Sequence, residues 1–194
     1  MQTGRPAIFC RFSGCNLWTG REQDRDKAVC QFCDTDFVGT DGENGGKYTS
    51  AELAKKIRSL WPDMHIGEPY VVCTGGEPLL QLDREAIDRM HDQGFTIAVE
   101  TNGTIEADPN IDWICMSPKA NAEIKQTSGH ELKFVYPQTE LDPKNFEGMD
   151  FSYFFLQPMD GPEVEMNTQK AIEYCLQNPK WRLSLQTHKF SGIK

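Results

Sequence analysis

No apolar run in the 194 residues approaches the roughly 20 needed to span a bilayer. The opening Met1-Gln2-Thr3-Gly4-Arg5-Pro6 also lacks the apolar core of a signal peptide. Together these absences lead to the expectation of a soluble, cytoplasmic protein with no membrane partner. Basic runs are missing too: 20 Lys and Arg stand against 29 Asp and Glu, for a formal net charge of −9. Neutralising a phosphate backbone needs a clustered basic face, so nucleic acid is not an expected partner and a small-molecule substrate is. An even set of cysteines is lacking as well. The seven present, in a chain without a secretory signal, are expected as reduced thiols or metal ligands rather than as a disulfide framework. There is no internal repeat, and the one low-complexity patch, 40–46, reads as a surface loop.

What is present is enough apolar material, 38% of residues, to bury one sizeable core, so a single domain over 1–194 is expected. Short apolar runs alternate with amphipathic stretches. Ala7 to Phe12 reads as a strand and Ser50 to Leu60 as a helix opened by a Ser cap. Strands follow at Tyr70 to Cys73, Phe95 to Glu100 and Asp112 to Met116, with a helix at Asp83 to Gln93 between the first two. Leu132 to Tyr136, Tyr153 to Leu156 and Arg182 to Leu185 supply three more strands, with a helix over Glu165 to Gln177 before the last. Strands separated by helices favour a parallel sheet with right-handed crossovers, whose C-terminal edge carries the site. The chain is short of the ~250 residues of a complete eight-unit barrel, so the expected fold is α/β, a partial TIM-like barrel of about six parallel strands.

Polar motifs trail these strands: Cys15 and its loop, Thr74-Gly75-Gly76-Glu77-Pro78, Thr101-Asn102-Gly103, Ser117-Pro118-Lys119 and Gln157-Pro158-Met159. Cys30-Gln31-Phe32-Cys33 sets two thiolates close enough to chelate one metal centre, and Cys15 stands fourteen intervening residues earlier. A structural zinc site wants four protein ligands, and no fourth Cys or His occurs between Cys15 and His65. A [4Fe–4S] cluster on three cysteines leaves one iron open, the arrangement that lets S-adenosylmethionine (SAM) chelate it. Alone, Cys-x-x-Cys would fit zinc or thioredoxin-type redox chemistry as well. The Gly-Gly-Glu segment offers an unhindered backbone beside a carboxylate, suited to the cationic amino end of SAM, though an ordinary Gly-Gly turn with a solvated Glu is the plainer reading of it alone. Cys10, Cys73, Cys115 and Cys175 read as small buried hydrophobes. Trp18, Trp61, Trp113 and Trp181 read as packing residues. Three other classes share part of this pattern: an activase that makes a glycyl radical on a partner protein, a non-catalytic iron–sulfur electron carrier, and a zinc-binding interaction module.

With these motifs in view, the chain resembles the radical SAM superfamily, and more closely the 7-carboxy-7-deazaguanine synthases. The resemblance rests on residues 11–17, Arg-Phe-Ser-Gly-Cys-Asn-Leu, and 30–36, Cys-Gln-Phe-Cys-Asp-Thr-Asp. It continues in Thr74 to Pro78, Glu100 to Thr104, Ser117 to Lys119 and the C-terminal Leu185 to Phe190, so it covers essentially the whole chain. The wide spacing of the first two cysteines departs from the superfamily's Cys-x3-Cys-x2-Cys, and the insert is expected to form a small turn or helix. Family members also carry a Gln-Gly-Glu-Gly segment that helps hold substrate. Its absence ahead of Met1 implies that the family's N-terminal segment is missing from this sequence.

The resemblance implies a lyase of queuosine biosynthesis that converts 6-carboxy-5,6,7,8-tetrahydropterin to 7-carboxy-7-deazaguanine with loss of ammonia. It implies Cys15, Cys30 and Cys33 on the [4Fe–4S] cluster and Thr35 on a magnesium ion, with Asp34 the alternative ligand. For SAM it implies Phe32, Gly76, Glu77, Ser117, Pro118, Lys119, Gln157, Pro158, Met159 and Asp160. Substrate is implied at Arg11, Thr74, His188 and the terminal carboxylate of Lys194. As partners it implies an electron donor such as flavodoxin or ferredoxin and a second copy of the chain in a homodimer.

Overall fold

The computed structural model describes residues 1–62 and 67–192. Seven strands make one sheet in chain order: β1 (Ile8–Phe12), β2 (Tyr70–Gly75), β3 (Thr96–Thr101), β4 (Trp113–Met116), β5 (Ser128–Tyr136), β6 (Asp150–Pro158) and β7 (Trp181–Leu183). Every pairing is parallel, and β1 and β7 are left as two unpaired edges, so the barrel is open. The architecture is the expected α/β partial barrel. Its seven strands correspond to the seven strand segments read from the sequence, one more than the estimate of about six, and the last, β7, pairs with β6 from Phe154↔Trp181 to Leu156↔Leu183.

Helices cover the outer face. In α1 (Ser50–Leu60) the cap is Thr49 rather than the expected Ser50: the Thr49 hydroxyl accepts from Glu52 N while the Glu52 carboxylate accepts from Thr49 N. Asp83 caps α2 (Arg84–Asp92) by accepting from Ala86 N. Spacings of three and four residues then turn Ile87 and Met90 inward, where both are 0% exposed. Each of those two side chains contributes roughly 1.5–3 kcal/mol of burial. They pack with Val71, Cys73, Ile97 and Val99 into one core. Around α3 (Val164–Gln177), a second core gathers Leu132, Phe134, Phe154, Leu156 and Trp181.

Because side chains alternate along a strand, the residues between those core positions face the barrel interior. Near the N-terminal ends this inner face is apolar, with Tyr70, Val72, Ala98 and Trp113 clustered. Two steps further along the same strands it becomes polar, at Thr74 and Glu100. The outer layer therefore holds the fold together, while the inner face at the C-terminal rim is left for chemistry. The 40–46 patch is exposed throughout, as a surface loop should be. No helix among the described residues is long and apolar enough to cross a membrane.

Candidate functional site

The glycines of the Thr74–Pro78 segment act on the neighbouring strand tip. Gly75 has φ +116°, and a Cβ there would stand 2.3 Å from the Phe12 carbonyl oxygen. A Cβ on Gly76 would lie 1.9 Å from the Gly14 carbonyl oxygen. Only glycine permits this approach, and it allows Gly76 N to donate to Phe12 O at 3.0 Å and Glu77 N to Gly14 O at 2.9 Å. On its N–H side, the close approach the glycines permit is made to the chain itself, and it fixes the residue just before Cys15.

The other two cysteines reach Cys15 through one carbonyl. Leu17 O accepts from both Val29 N (3.0 Å) and Cys30 N (3.3 Å), closing the insert into a loop. Within it lies the expected small helix, a 3-10 segment at Glu22–Lys27. Its Arg25 lies 4.1 Å over the Trp18 ring and donates to Gln31 O (2.8 Å) and Cys33 O (3.1 Å), bracing the Cys-x-x-Cys backbone. Trp18 is the packing residue expected, edge-on to Phe37. Arg25 carries no motif signal; only the Glu22–Arg25 spacing, which forms an ion pair, hints at an ordered turn.

Burial pushes the Cys30 and Cys33 thiols up from their ordinary range, and the Lys119 ammonium opposes the shift at both. Lys119 is itself pulled down by desolvation and pulled back by the same two thiols. Its ammonium donates to Ser117 O (2.9 Å) and Ser117 Oγ (2.7 Å), and among the described residues it forms no ion pair. Phe32 lies beside it, with the ring centroid 5.8 Å from the ammonium. A desolvated cation with no carboxylate in contact, only Glu77 at longer electrostatic reach, beside thiols that resist ionising, is a charge arrangement that an anionic group on the sulfurs would complete.

Among the described residues no three Cys, His, Asp or Glu side chains converge as tightly as one metal ion requires. The Cys30 and Cys33 thiols lie in electrostatic reach of each other and of Cys15, an all-thiol donor set of the kind an iron–sulfur group takes. Asn102 leans over Cys15, Nδ2 lying 3.9 Å from Cys15 Sγ and 3.0 Å from Asn16 Oδ1.

Glu77 is neither an open carboxylate nor a solvated one. It is 0% exposed; Oε1 accepts from Thr101 Oγ1 (2.8 Å) and Leu79 N (3.1 Å), and Oε2 from Asn102 N (2.7 Å). Burial raises its pKa against those hydrogen bonds. It ties the tip of β2 to the tip of β3, leaving one acceptor position on Oε2 uncommitted.

On the inner face, Thr74 Oγ1 donates to Glu100 Oε2 at 3.3 Å, and Lys133 Nζ lies 2.7 Å from Glu100 Oε1. The Lys133 charge, more than burial opposes it, holds the Glu100 carboxyl below its ordinary range, with a smaller contribution from Arg11. Arg11 and Thr74 thus come together around Glu100. Sequence reading named neither Glu100 nor Lys133 as a site residue, although Glu100 opens a motif it quoted.

The remaining expectations fall at the other end of the rim. Gln157 and Pro158 end β6 rather than lying in a loop, and Met159 N donates to Tyr136 O at 2.7 Å. Thr35 is half-buried beside Cys33, whose thiol lies 3.9 Å from the Thr35 carbonyl. His188 is exposed on the short α4 (Thr187–Ser191), and its imidazole makes no hydrogen bond among the described residues. Lys194 lies outside the described residues. Lys189, which lies in the C-terminal motif but was given no site role from the sequence, bridges Asp34 and Asp160.

Comparison with known proteins agrees along the full length. The chain is 62% identical to the 7-carboxy-7-deazaguanine synthase of Caulobacter vibrioides over 196 residues, 99% of this chain and 91% of that one. It is 58% identical to the enzyme of that name from Bordetella pertussis, again over 99% and 91% of the two chains. The crystal structure of QueE from Escherichia coli matches it with TM-score 0.67 at 27% identity, covering 95% of this chain and 86% of the other. No family model matches the chain.

Proposed function

This chain belongs to the 7-carboxy-7-deazaguanine synthase family, and on that basis we propose that it converts 6-carboxy-5,6,7,8-tetrahydropterin to 7-carboxy-7-deazaguanine with loss of ammonia. It is a radical SAM lyase of queuosine-type deazapurine biosynthesis. The observation that carries the reading is the unpaired, desolvated Lys119 beside Cys30 and Cys33, on the rim that also presents Cys15 and the Thr74–Glu100–Lys133 group.

A cluster held by Cys15, Cys30 and Cys33, with SAM beside it, would supply radical hydrogen-atom chemistry at C6 of the pterin. The protein's own residues bind, orient and exclude water. Cys15, Cys30 and Cys33 hold the cluster, with its fourth position left for SAM. Lys119 and Ser117 take the SAM carboxylate, and the Gly76–Glu77 backbone with the free Oε2 position of Glu77 takes its amino group. Phe32, Pro118 and Gln157 to Asp160 enclose the rest of SAM. Arg11 pairs with the substrate carboxylate through its forked guanidinium. Thr74 and His188, with Lys194, complete the substrate contacts, and the Thr35 hydroxyl would hold a magnesium ion, a hard cation that prefers oxygen ligands.

We further read the chain as one domain of a cytoplasmic homodimer fed electrons by a flavodoxin or ferredoxin, since thiol ligands and a reduced cluster belong in a reducing compartment. The test is an anaerobic assay of the iron–sulfur-reconstituted protein with SAM, magnesium, a reductant and 6-carboxytetrahydropterin, following product by mass. Product from the natural chain, lost together with most of the bound iron in Cys30→Ala, supports the reading. SAM cleavage without deazaguanine product would keep the radical chemistry and reject the substrate.

A further inference from the structure

The two edges of the sheet are joined by side chains where no strand pairing joins them. β1 and β7 do not pair, yet the segment that follows β7 returns to the loop that follows β1. Lys189 Nζ lies 2.5 Å from Asp34 Oδ2 and 2.6 Å from Asp160 Oδ2. Gln186 Nε2 donates to the same Asp34 oxygen at 2.9 Å. Asp34 directly follows the Cys-x-x-Cys pair, Asp160 lies in the loop after β6, and Gln186 and Lys189 belong to the C-terminal segment. One ammonium with three donors thus holds three separate pieces of the rim.

We propose that Lys189 is a positioning residue that latches the C-terminal segment onto the loops following β1 and β6, closing the open side of the rim over the site. Without it, two carboxylates held near one point would repel, and the loops bearing them would separate. With it, the helical turn of 187–191 that carries His188 is tied to the loop that carries Cys33. The proposal rests on reading this rim as the SAM and pterin site, but the latch itself can be observed without turnover.

The test is hydrogen–deuterium exchange on the full reconstituted chain and its Lys189→Met, Lys189→Arg, Asp34→Asn and Asp34→Asn/Lys189→Met variants. Lys189→Met should speed exchange about three- to tenfold in both 31–36 and 187–192, two segments distant in sequence. The double variant should be no faster than either single one, because the partners act as a unit. Lys189→Arg should restore protection. High salt should speed exchange in the natural chain but not in Lys189→Met. In turnover, Lys189→Met should raise KM for the pterin with kcat nearly unchanged, as expected when a binding element is loosened. Unchanged exchange over 31–36 in Lys189→Met, or effects that multiply in the double variant, would overturn the latch. Coupled exchange in a protein that forms no deazaguanine would support the latch while the reading of the reaction fails.

Discussion

Lys119 shows how much one side chain can reveal. Withdrawing an ammonium from water costs several kcal/mol unless an opposite charge offsets it, yet the bonds to Ser117 O and Oγ are to neutral oxygens. Glu77 offsets part of that cost from a distance, and an anionic group on the thiol side of the rim would offset more. We therefore expect Lys119→Met to shift the midpoint potential of the reconstituted cluster to more negative values. The shift should be on the order of tens of millivolts, since removing a nearby positive charge disfavours the reduced form. A spectroscopically monitored redox titration without substrate would measure it, and an unchanged potential would remove Lys119 from the cluster's surroundings. At this scale the sequence was most legible where a residue type announces its chemistry. Three thiols and a Ser-Pro-Lys segment can be read one at a time. Glu100 and Lys133 cannot, because each interrupts a strand and they become a site only when β3 and β5 place them 2.7 Å apart across β4.

Elements were legible by their periodicity, and their ends less so. The helix over 50–60 was clear, but which of two adjacent hydroxyls caps it was not. That depends on the reciprocal bond between Thr49 and Glu52, three residues apart; Ser50 cannot form its equivalent, because the residue three places beyond it is the apolar Leu53. In the same way, the Gly75-Gly76 pair was legible as a close approach, while its partner was not. The structure identifies that partner as the Phe12–Cys15 tip, so the pair acts as a strut for the first cluster ligand. Gly76→Ala should force apart the tips of β1 and β2, with destabilisation of about 1–3 kcal/mol or more. It should also lower iron incorporation, even though residue 76 ligates nothing. Denaturant titration and iron analysis would show both effects. Gly148→Ala, where the added Cβ meets nothing within 4 Å, is the control and should leave both unchanged.

The whole molecule is an open sheet whose outer layer is apolar and whose inner face turns polar toward one rim. That division follows from strand alternation: Val71, Cys73, Ile97 and Val99 go to the helices, while Val72, Thr74, Ala98 and Glu100 go to the interior. The sequence supported the layer order and the rim, because every polar motif follows an apolar run. It did not reveal how the two sheet edges meet, since Asp34, Asp160 and Lys189 lie far apart in the chain, and the first two were read for magnesium and SAM rather than for each other.

If this rim directs a SAM-derived radical to C6 of the pterin and returns the hydrogen atom afterwards, an isotope placed at C6 must pass through SAM. The decisive measurement uses substrate carrying deuterium at C6, turned over by the reconstituted protein, with SAM recovered for mass analysis. Deuterium on the 5′ carbon of recovered SAM, rising with product, is the predicted result. Product formed with the deuterium found only in solvent would contradict it.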